Sequence, residues 1–314
     1  MNSTSPDTEG TASCPAPESA PLLPTGELDV LWFQVGGTLC NLSCTHCFIS
    51  CSPTNRSLPL MHPEELEPAL REAERLGVRE YYLTGGEPFI AKDLEAIVAR
   101  ILRQGPVSVL TNGTLITEER ARAFAAIRDA TRYSLEFRVS LDGCTAADND
   151  AIRGRGTFER ALRGIERLVS AGFLPILTAA QVWDPSRDQE VLAGFVAELE
   201  RRGYRRPRIK LLPRLKIGAE ESRAGGYAPD ERITADMMEG FDSSLLQCFS
   251  SRMVSSRGVH VCPILVDDPR GFLGGSLTDS LRPFPLAANA CFTCWQYGSI
   301  CSNVSSGGRL GQAT

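Results

Sequence analysis

The chain has 314 residues, of which 42% are hydrophobic and 23% charged, with a net charge of −5; it holds enough apolar material for a sizeable core. A mildly acidic chain lacks the electrostatic footprint of a nucleic-acid-binding protein, and the cluster Arg201, Arg202, Arg205, Arg206 and Arg208 reads as a solvated helix end. No apolar run reaches the roughly 18 residues that a membrane-crossing helix needs.

Residues 1–27 contain no Lys or Arg and are rich in Ser, Thr, Pro and Glu. They predict a disordered tail and not a signal peptide, which needs a basic start and an apolar stretch. Residues 29–35 predict a strand, followed by a Gly-Gly turn and a cysteine-rich loop. Pro63–Leu76 predicts a helix with Pro63 in its first turn. Residues 78–83 form a short apolar strand ending in Thr84-Gly85-Gly86-Glu87-Pro88. A helix is expected over 92–103, and a buried strand over 107–110 that enters Thr111-Asn112-Gly113-Thr114. Residues 117–128 predict a helix capped by Thr117, with an acidic first turn. Leu135–Ser140 predicts a strand leading into Leu141-Asp142-Gly143, and Thr157 a cap for the next helix. In that helix Phe158, Ala161, Leu162, Ile165, Leu168 and Val169 share one face. A strand over 174–182, an amphipathic helix marked by Val191, Leu192, Phe195, Val196 and Leu199, and a strand Arg208–Leu212 complete the series.

Six strands alternating with helices predict a parallel sheet with outer helices: an α/β protein with a partial (β/α)6 TIM-type barrel. Such sheets carry their chemistry at the C-terminal ends of the strands. The cysteine loop, Gly-Gly-Glu-Pro, Thr-Asn-Gly and Ser-Leu-Asp-Gly all follow strands and are expected on one rim. From Gly218 the rhythm breaks. Residues 218–232 are Gly-rich and charged and predict a loop. The remainder is a small Cys-rich C-terminal domain, too small for a large core of its own, that a metal cluster could cross-link. The expected organisation is a tail over 1–27, the barrel over 28–217, and a linker with a cysteine-rich domain over 218–314.

Eleven cysteines in a chain without an export signal point to metal binding or redox chemistry more than to disulfides. Cys40, Cys44 and Cys47 give Cys-x3-Cys-x2-Cys on one tight loop. Three thiolates can hold three irons of a cubane cluster and leave the fourth iron open to a small molecule; an open position marks a catalytic metal site. A zinc site completed by His46, His62 or Cys51 is the competing reading, although adjacent His46 and Cys47 make joint tetrahedral ligation awkward.

The cysteine spacing just after the first strand resembles the signature of the radical S-adenosylmethionine (SAM) superfamily, and the likeness runs over residues 28–215. Gly85-Gly86-Glu87-Pro88 matches that family's SAM-amino-binding turn. Val139-Ser140-Leu141-Asp142-Gly143 and Ile152-Arg153-Gly154 resemble its fourth strand and the loop beyond. The resemblance implies cofactor contacts from Gly85, Gly86, Glu87, Asn112, Ser140 and Arg153: Ser140 to the SAM ribose or carboxylate, Arg153 to the carboxylate. It places His46 near the adenine and leaves Cys51 a nearby free thiol. Cys144 reads as a buried thiol or a substrate-facing one, and Cys14 as incidental. No residue stands out as a catalytic acid or base.

Cys248, Cys262, Cys291, Cys294 and Cys301 follow in the C-terminal part. Their arrangement resembles the auxiliary-cluster domains of radical SAM enzymes, in the one-cluster Twitch form more than the two-cluster SPASM form. The resemblance implies that Cys248, Cys262, Cys291 and Cys294 bind a second [4Fe-4S] cluster, with Cys301 a fifth candidate. Gly258 precedes Cys262 by four residues where the family pattern has five. A zinc knot is the alternative.

The implied reaction is reductive cleavage of SAM to a 5′-deoxyadenosyl radical that abstracts hydrogen from a small-molecule or peptide substrate, as an oxidation or bond formation assisted by the auxiliary cluster. The implied setting is the cytoplasm, with an electron donor such as flavodoxin or ferredoxin. Maturation of a ribosomal peptide is the alternative within the superfamily. A non-catalytic iron–sulfur electron carrier or zinc-stabilised binding module is the alternative outside it.

Overall fold

A computed structural model describes residues 20–298, 300 and 301. Strands β2 (Val30–Phe33), β3 (Glu80–Leu83), β4 (Val107–Thr111), β5 (Leu135–Ser140), β6 (Ile176–Ala180) and β7 (Arg208–Leu212) follow one another in space as in sequence, all parallel. Between them lie α1 (Pro63–Leu76), α2 (Leu94–Ile101), α3 (Glu118–Asp129), α4 (Ala146–Arg153), α5 (Thr157–Ser170) and α6 (Asp188–Arg201). The sheet does not end at β2. Beyond the short α7 (Ala219–Ala224), α8 (Ala235–Met238) and α9 (Gln247–Ser250), β8 (Ser251–Ser255) joins β2 in parallel. Then β9 (Gly258–His260) and β10 (Phe272–Gly274) extend it antiparallel, giving nine strands. The last short elements are α10 (Leu277–Ser280), β11 (Phe284–Pro285) and α11 (Ala290–Tyr297).

Strand alternation sorts the side chains onto two buried faces. Leu31, Phe33, Leu83, Val107, Val109, Phe137, Val139, Leu177 and Ala179 pack outward against the helices. Val30, Trp32, Tyr82, Leu110 and Met253 point inward, where they meet the cysteine loop. The loop therefore sits on an apolar floor that the barrel itself supplies.

Several boundaries differ from expectation. Leu22–Leu23 forms β1, which pairs with β11, and Leu23 is buried; the expected tail thus holds a strand, because Pro-Leu-Leu-Pro carries enough apolar surface to be covered. Residues 1–19 lie outside the described residues, and Cys14 with them. Ile152 and Arg153, expected in the loop after β5, end the helix α4, whose N-terminus Thr145 caps by accepting from the Asp148 amide. Thr157 is the first residue of α5 and Gly156 its cap; the Thr157 hydroxyl serves Asp150 and the Gly154 carbonyl. Residues 218–232 hold α7 rather than loop throughout.

Phe137 is fully buried, with ring centroids 5.0 Å from Phe173 and 5.2 Å from Phe124. Phe137→Ala is expected to cost about 3–5 kcal/mol, measured as a lower urea midpoint in anaerobic unfolding.

Candidate active site

The loop from Thr38 to Ser52 has little regular structure, so its shape is held by contacts. A bridge joins Leu39 and Ser52, with Cys40 N donating to Ser52 O and Ser52 N to Thr38 O. Thr45 N donates to Ile152 O at the end of α4, and Ala219 N to Cys47 O at the start of α7. Within the loop, Leu42 N points at Cys40 Sγ and Cys51 N at Cys47 Sγ, at 3.4 and 3.3 Å.

The turn after β3 is the loop's neighbour. Gly36 N donates to Thr84 O, Gly86 N to Gly37 O, and Glu87 N to Leu39 O. This pairing is tight enough to need glycine. Gly85 has φ +144°, and a Cβ there would stand 2.5 Å from Gly36 Cα; at Gly86 it would stand 2.2 Å from Leu39 O. Glu87, expected to contact the cofactor, is placed otherwise. It is fully buried, its Oε1 accepting from Phe89 N and Thr111 Oγ1 and its Oε2 from Asn112 N, at 2.6–3.0 Å. The carboxylate is used in tying the turn to the end of β4 and does not line the cavity described below. Burial pushes its pKa up, against the three donors that favour the charged form. Asn112, so positioned, gives its Nδ2 to Asn41 Oδ1 at 2.9 Å and lies 3.8 Å from Cys40 Sγ.

A third knot sits after β5. Asp142 is fully buried; its Oδ1 accepts from Ala180 N, and its Oδ2 meets His46 Nε2 at 2.8 Å and Arg153 Nε at 2.5 Å. The Arg153 contact is an ion pair without hydrogen-bond alignment. Burial alone would raise the Asp142 carboxyl, but the Arg153 and His46 charges hold it well below the usual carboxylate range. Arg153, the last residue of α4, is raised in turn: burial opposes its charge and Asp142 more than offsets this. His46 is thereby fixed by Asp142.

Cys40, Cys44, Cys47, His46, Gly85, Gly86, Asn112, Ser140 and Arg153 all line one cavity of about 240 Å³ at the C-terminal ends of the strands. Burial pushes the Cys40 thiol up to about 12, and the nearby Cys44 and Cys47 add to the rise. Cys47 is pulled down to about 6, chiefly by a hydrogen bond from the Cys51 thiol, which is itself raised by that bond and by burial. Cys51 thus stands against Cys47 within the same cavity. Among the described residues no three His, Cys, Asp or Glu side chains converge as ligands of a single metal ion do. Three thiols spread along one wall, within electrostatic reach of each other, suit a multi-iron cluster. The glycine turn beside them leaves backbone, not side chain, facing the same space.

The C-terminal cysteines meet at a second place. Cys248, Cys262, Cys291 and Cys294 line a separate small cavity with Leu246, Ile264 and Phe284, and burial raises all four thiols. Arg252 is fully buried nearby and donates to the carbonyls of Cys248, Ser251 and Ser280. Its charge acts on Cys248 and Cys262. A buried guanidinium served only by neutral acceptors fits beside thiolates that carry the balancing charge. Cys301 differs: it lies within reach of Cys294 yet lines the larger cavity, between the two groups. Cys144 is half-buried against Gly194, away from both.

Sequence reading missed Asp142 as an anchor and Arg138, Gln34 and Glu220 as cavity residues. Asp142 was visible only as part of a turn; that it faces Arg153 and His46 depends on the cysteine loop and α4 folding against β5. Its folded-state pKa is depressed. The stability it contributes is therefore complete above the ordinary carboxylate pKa of about 4 and is lost as pH falls through the folded value. Asp142→Asn is expected to cost about 3–5 kcal/mol at neutral pH and to flatten the loss of stability on acidification, measured by urea unfolding across the acid range.

Comparison with known proteins matches the Radical SAM superfamily family model to residues 35–182. Mycofactocin maturase MftC of Mycobacterium tuberculosis (strain CDC 1551 / Oshkosh) is 37% identical over 135 residues, covering 43% of this chain and 33% of the relative. The chain thus spans about a third of that protein's length in the match. MftC of Mycobacterium ulcerans is 29% identical over 300 residues, covering 83% of this chain and 78% of the relative. Among solved structures, Streptococcus suis SuiB bound to the precursor peptide SuiA shares the fold at TM-score 0.58 and 14% identity, over 77% of this chain and 61% of that one. Over residues 35–182 the chain is thus similar to the radical SAM superfamily, and its C-terminal part adds a Cys-rich region of the kind found in Twitch- and SPASM-type members.

Proposed function

We propose that this chain is a radical SAM oxidoreductase that acts on a peptide, with Cys40, Cys44 and Cys47 holding the SAM-binding cluster and Cys248, Cys262, Cys291 and Cys294 an auxiliary one. The observation that carries the reading is that the three N-terminal thiols, the Gly85–Gly86 turn, Asn112, Ser140 and Arg153 line one cavity at the strand ends. The SuiB complex with a precursor peptide supports a peptide substrate. We take the barrel as 28–217 and the auxiliary region as 218–314, with β8–β10 binding the second to the first.

The chemistry the bound cluster would supply is one-electron reductive cleavage of the S–C5′ bond of SAM. The chain's own residues position and protect. Cys40, Cys44 and Cys47 would hold the cluster and leave one iron for SAM. The backbone of Gly85 and Gly86 would receive the SAM amino group, Ser140 the ribose or carboxylate, and Arg153 the carboxylate. Asp142 orients Arg153 and His46. Apolar walls from Trp32, Leu42, Ile49 and Leu212 keep competing hydrogen donors away. Cys248, Cys262, Cys291 and Cys294 would hold the auxiliary cluster with a full set of protein ligands, and the chemistry it would supply is uptake of an electron in a net oxidation. A flavodoxin or ferredoxin would supply the first electron, and the free thiols suit a reducing cytoplasm.

Anaerobic reconstitution with iron and sulfide, followed by SAM and dithionite, is expected to give 5′-deoxyadenosine at a rate at least about tenfold above a Cys44→Ala control, a fall in the barrier of about 1.4 kcal/mol. Equal rates in the two proteins would contradict the assignment.

A further inference from the structure

The barrel interior carries a positive charge that the proposed chemistry does not use. Along β5, Leu135, Phe137 and Val139 face the helices, so Glu136, Arg138 and Ser140 face inward. Arg138 is 1% exposed. Its Nη1 donates to the Cys301 carbonyl and its Nε to Thr178 Oγ1 at 3.5 Å. Its Nη2 is buried and has no hydrogen-bond partner among the described residues. Among those residues no carboxylate lies within ion-pair distance of it, in contrast to Arg153 with its Asp142. A buried guanidinium in this condition is costly, and a protein retains one where an anion is to be bound.

Its surroundings point the same way. Arg138 lines the cavity that holds the cysteine loop, and so does Trp32, whose Nε1 is a second buried donor with no partner among the described residues. Lys210 on β7 is in register with Thr178 on β6, and its charge reaches Arg138. Burial and the Arg138 charge pull Lys210 down to about 8, as expected where two cations share a poorly solvated space. Arg138 lies two residues before Ser140 on β5, about 7 Å deeper along the strand. A group held there leaves the rest of a substrate extended toward the rim.

We propose that Arg138, with Lys210 and Trp32 beside it, forms an oxyanion subsite in the barrel that docks a carboxylate of the peptide substrate. The proposal rests on the peptide-modifying reading above. A carboxylate fits better than a nucleotide polyphosphate: the Glu136 charge acts on both Arg138 and Lys210 and leaves one net positive charge to match a single negative one, and the planar fork of Arg pairs with a planar carboxylate.

The test uses the reconstituted, SAM-bound full chain and follows its thermal midpoint. The probes are N-acetyl-tetra-alanine as the free acid, the same peptide as its C-terminal amide, inorganic phosphate, and chloride at matched ionic strength. The free acid at about ten times its Kd is expected to raise the midpoint by about 3–5 °C, and the amide and chloride are not. Arg138→Met should abolish the shift, and Arg138→Lys, which keeps the charge without the fork, should weaken binding at least about tenfold. If Arg138→Met does not fold, Lys210→Met serves as the second variant, with a weakened shift expected. Equal shifts from acid and amide, or a shift undiminished in the variants, would overturn the proposal. A shift from phosphate alone would overturn the carboxylate assignment. Loss of auxiliary iron in Arg138→Met, with the acid shift absent even in the unmodified chain, would assign the guanidinium to the cluster instead. 5′-Deoxyadenosine formation in the same preparation separates the two readings. Its presence without an acid-specific shift refutes the subsite alone, and its absence with the shift intact refutes the radical reading alone.

Discussion

The site depends on a buried carboxylate that never faces the cavity. Glu87 accepts three hydrogen bonds, from Phe89 N, Thr111 Oγ1 and Asn112 N. Each is made away from water, so the set is worth more than three surface bonds. It locks the end of β3 to the end of β4. From there the constraint spreads: the Gly85–Gly86 backbone is held against Gly37 and Leu39, and Asn112 against Asn41 and Cys40. The loop bearing three thiols has few internal hydrogen bonds, and without this frame its conformational entropy would spread the thiols over many arrangements.

Two other buried charge groups divide the remaining work. Asp142 gathers His46 and Arg153 at the rim, so that a cation facing the cofactor space is held by an anion behind it. Arg252 lies beside Cys248 and Cys262 and makes the second thiol group electrostatically tolerable. Both are preorganised polar arrangements in a dry interior, where their fields are strong and little rearrangement is needed when a charged cofactor enters. Continuity of the sheet through β8, β9 and β10 links the two thiol groups mechanically, since β8 pairs along the whole of β2.

Much of the fold was legible because parallel strands buried on both faces read as short apolar runs with polar turns after them. Pro63–Leu76, Leu135–Ser140 and Arg208–Leu212 fall where the sequence put them. The rim was legible because Cys-x3-Cys-x2-Cys and Gly-Gly-Glu-Pro occupy corresponding places after successive strands. What was not legible depends on tertiary contact. Glu87 looks like a ligand in a turn motif, and only the position of Thr111 shows that its oxygens are taken. The helix at 146–153 has a weak apolar pattern and is stabilised by the Thr145 cap and by packing on α5. Arg138 could have been found: a charged residue in alternation with Leu135, Phe137 and Val139 must face the barrel interior. Cys301 stood as a candidate ligand in the sequence, but its place between the two cavities could not be read there, since it depends on how the chain runs on beyond α11.

On the proposed reading, Cys40, Cys44 and Cys47 hold a cluster with one iron open to SAM. The most direct measurement is the EPR spectrum of the reduced, reconstituted protein before and after addition of SAM, in a Cys262→Ser/Cys291→Ser background that removes the auxiliary signal. SAM is expected to change the g-values and line shape of the remaining cluster. A spectrum identical with and without saturating SAM would contradict it.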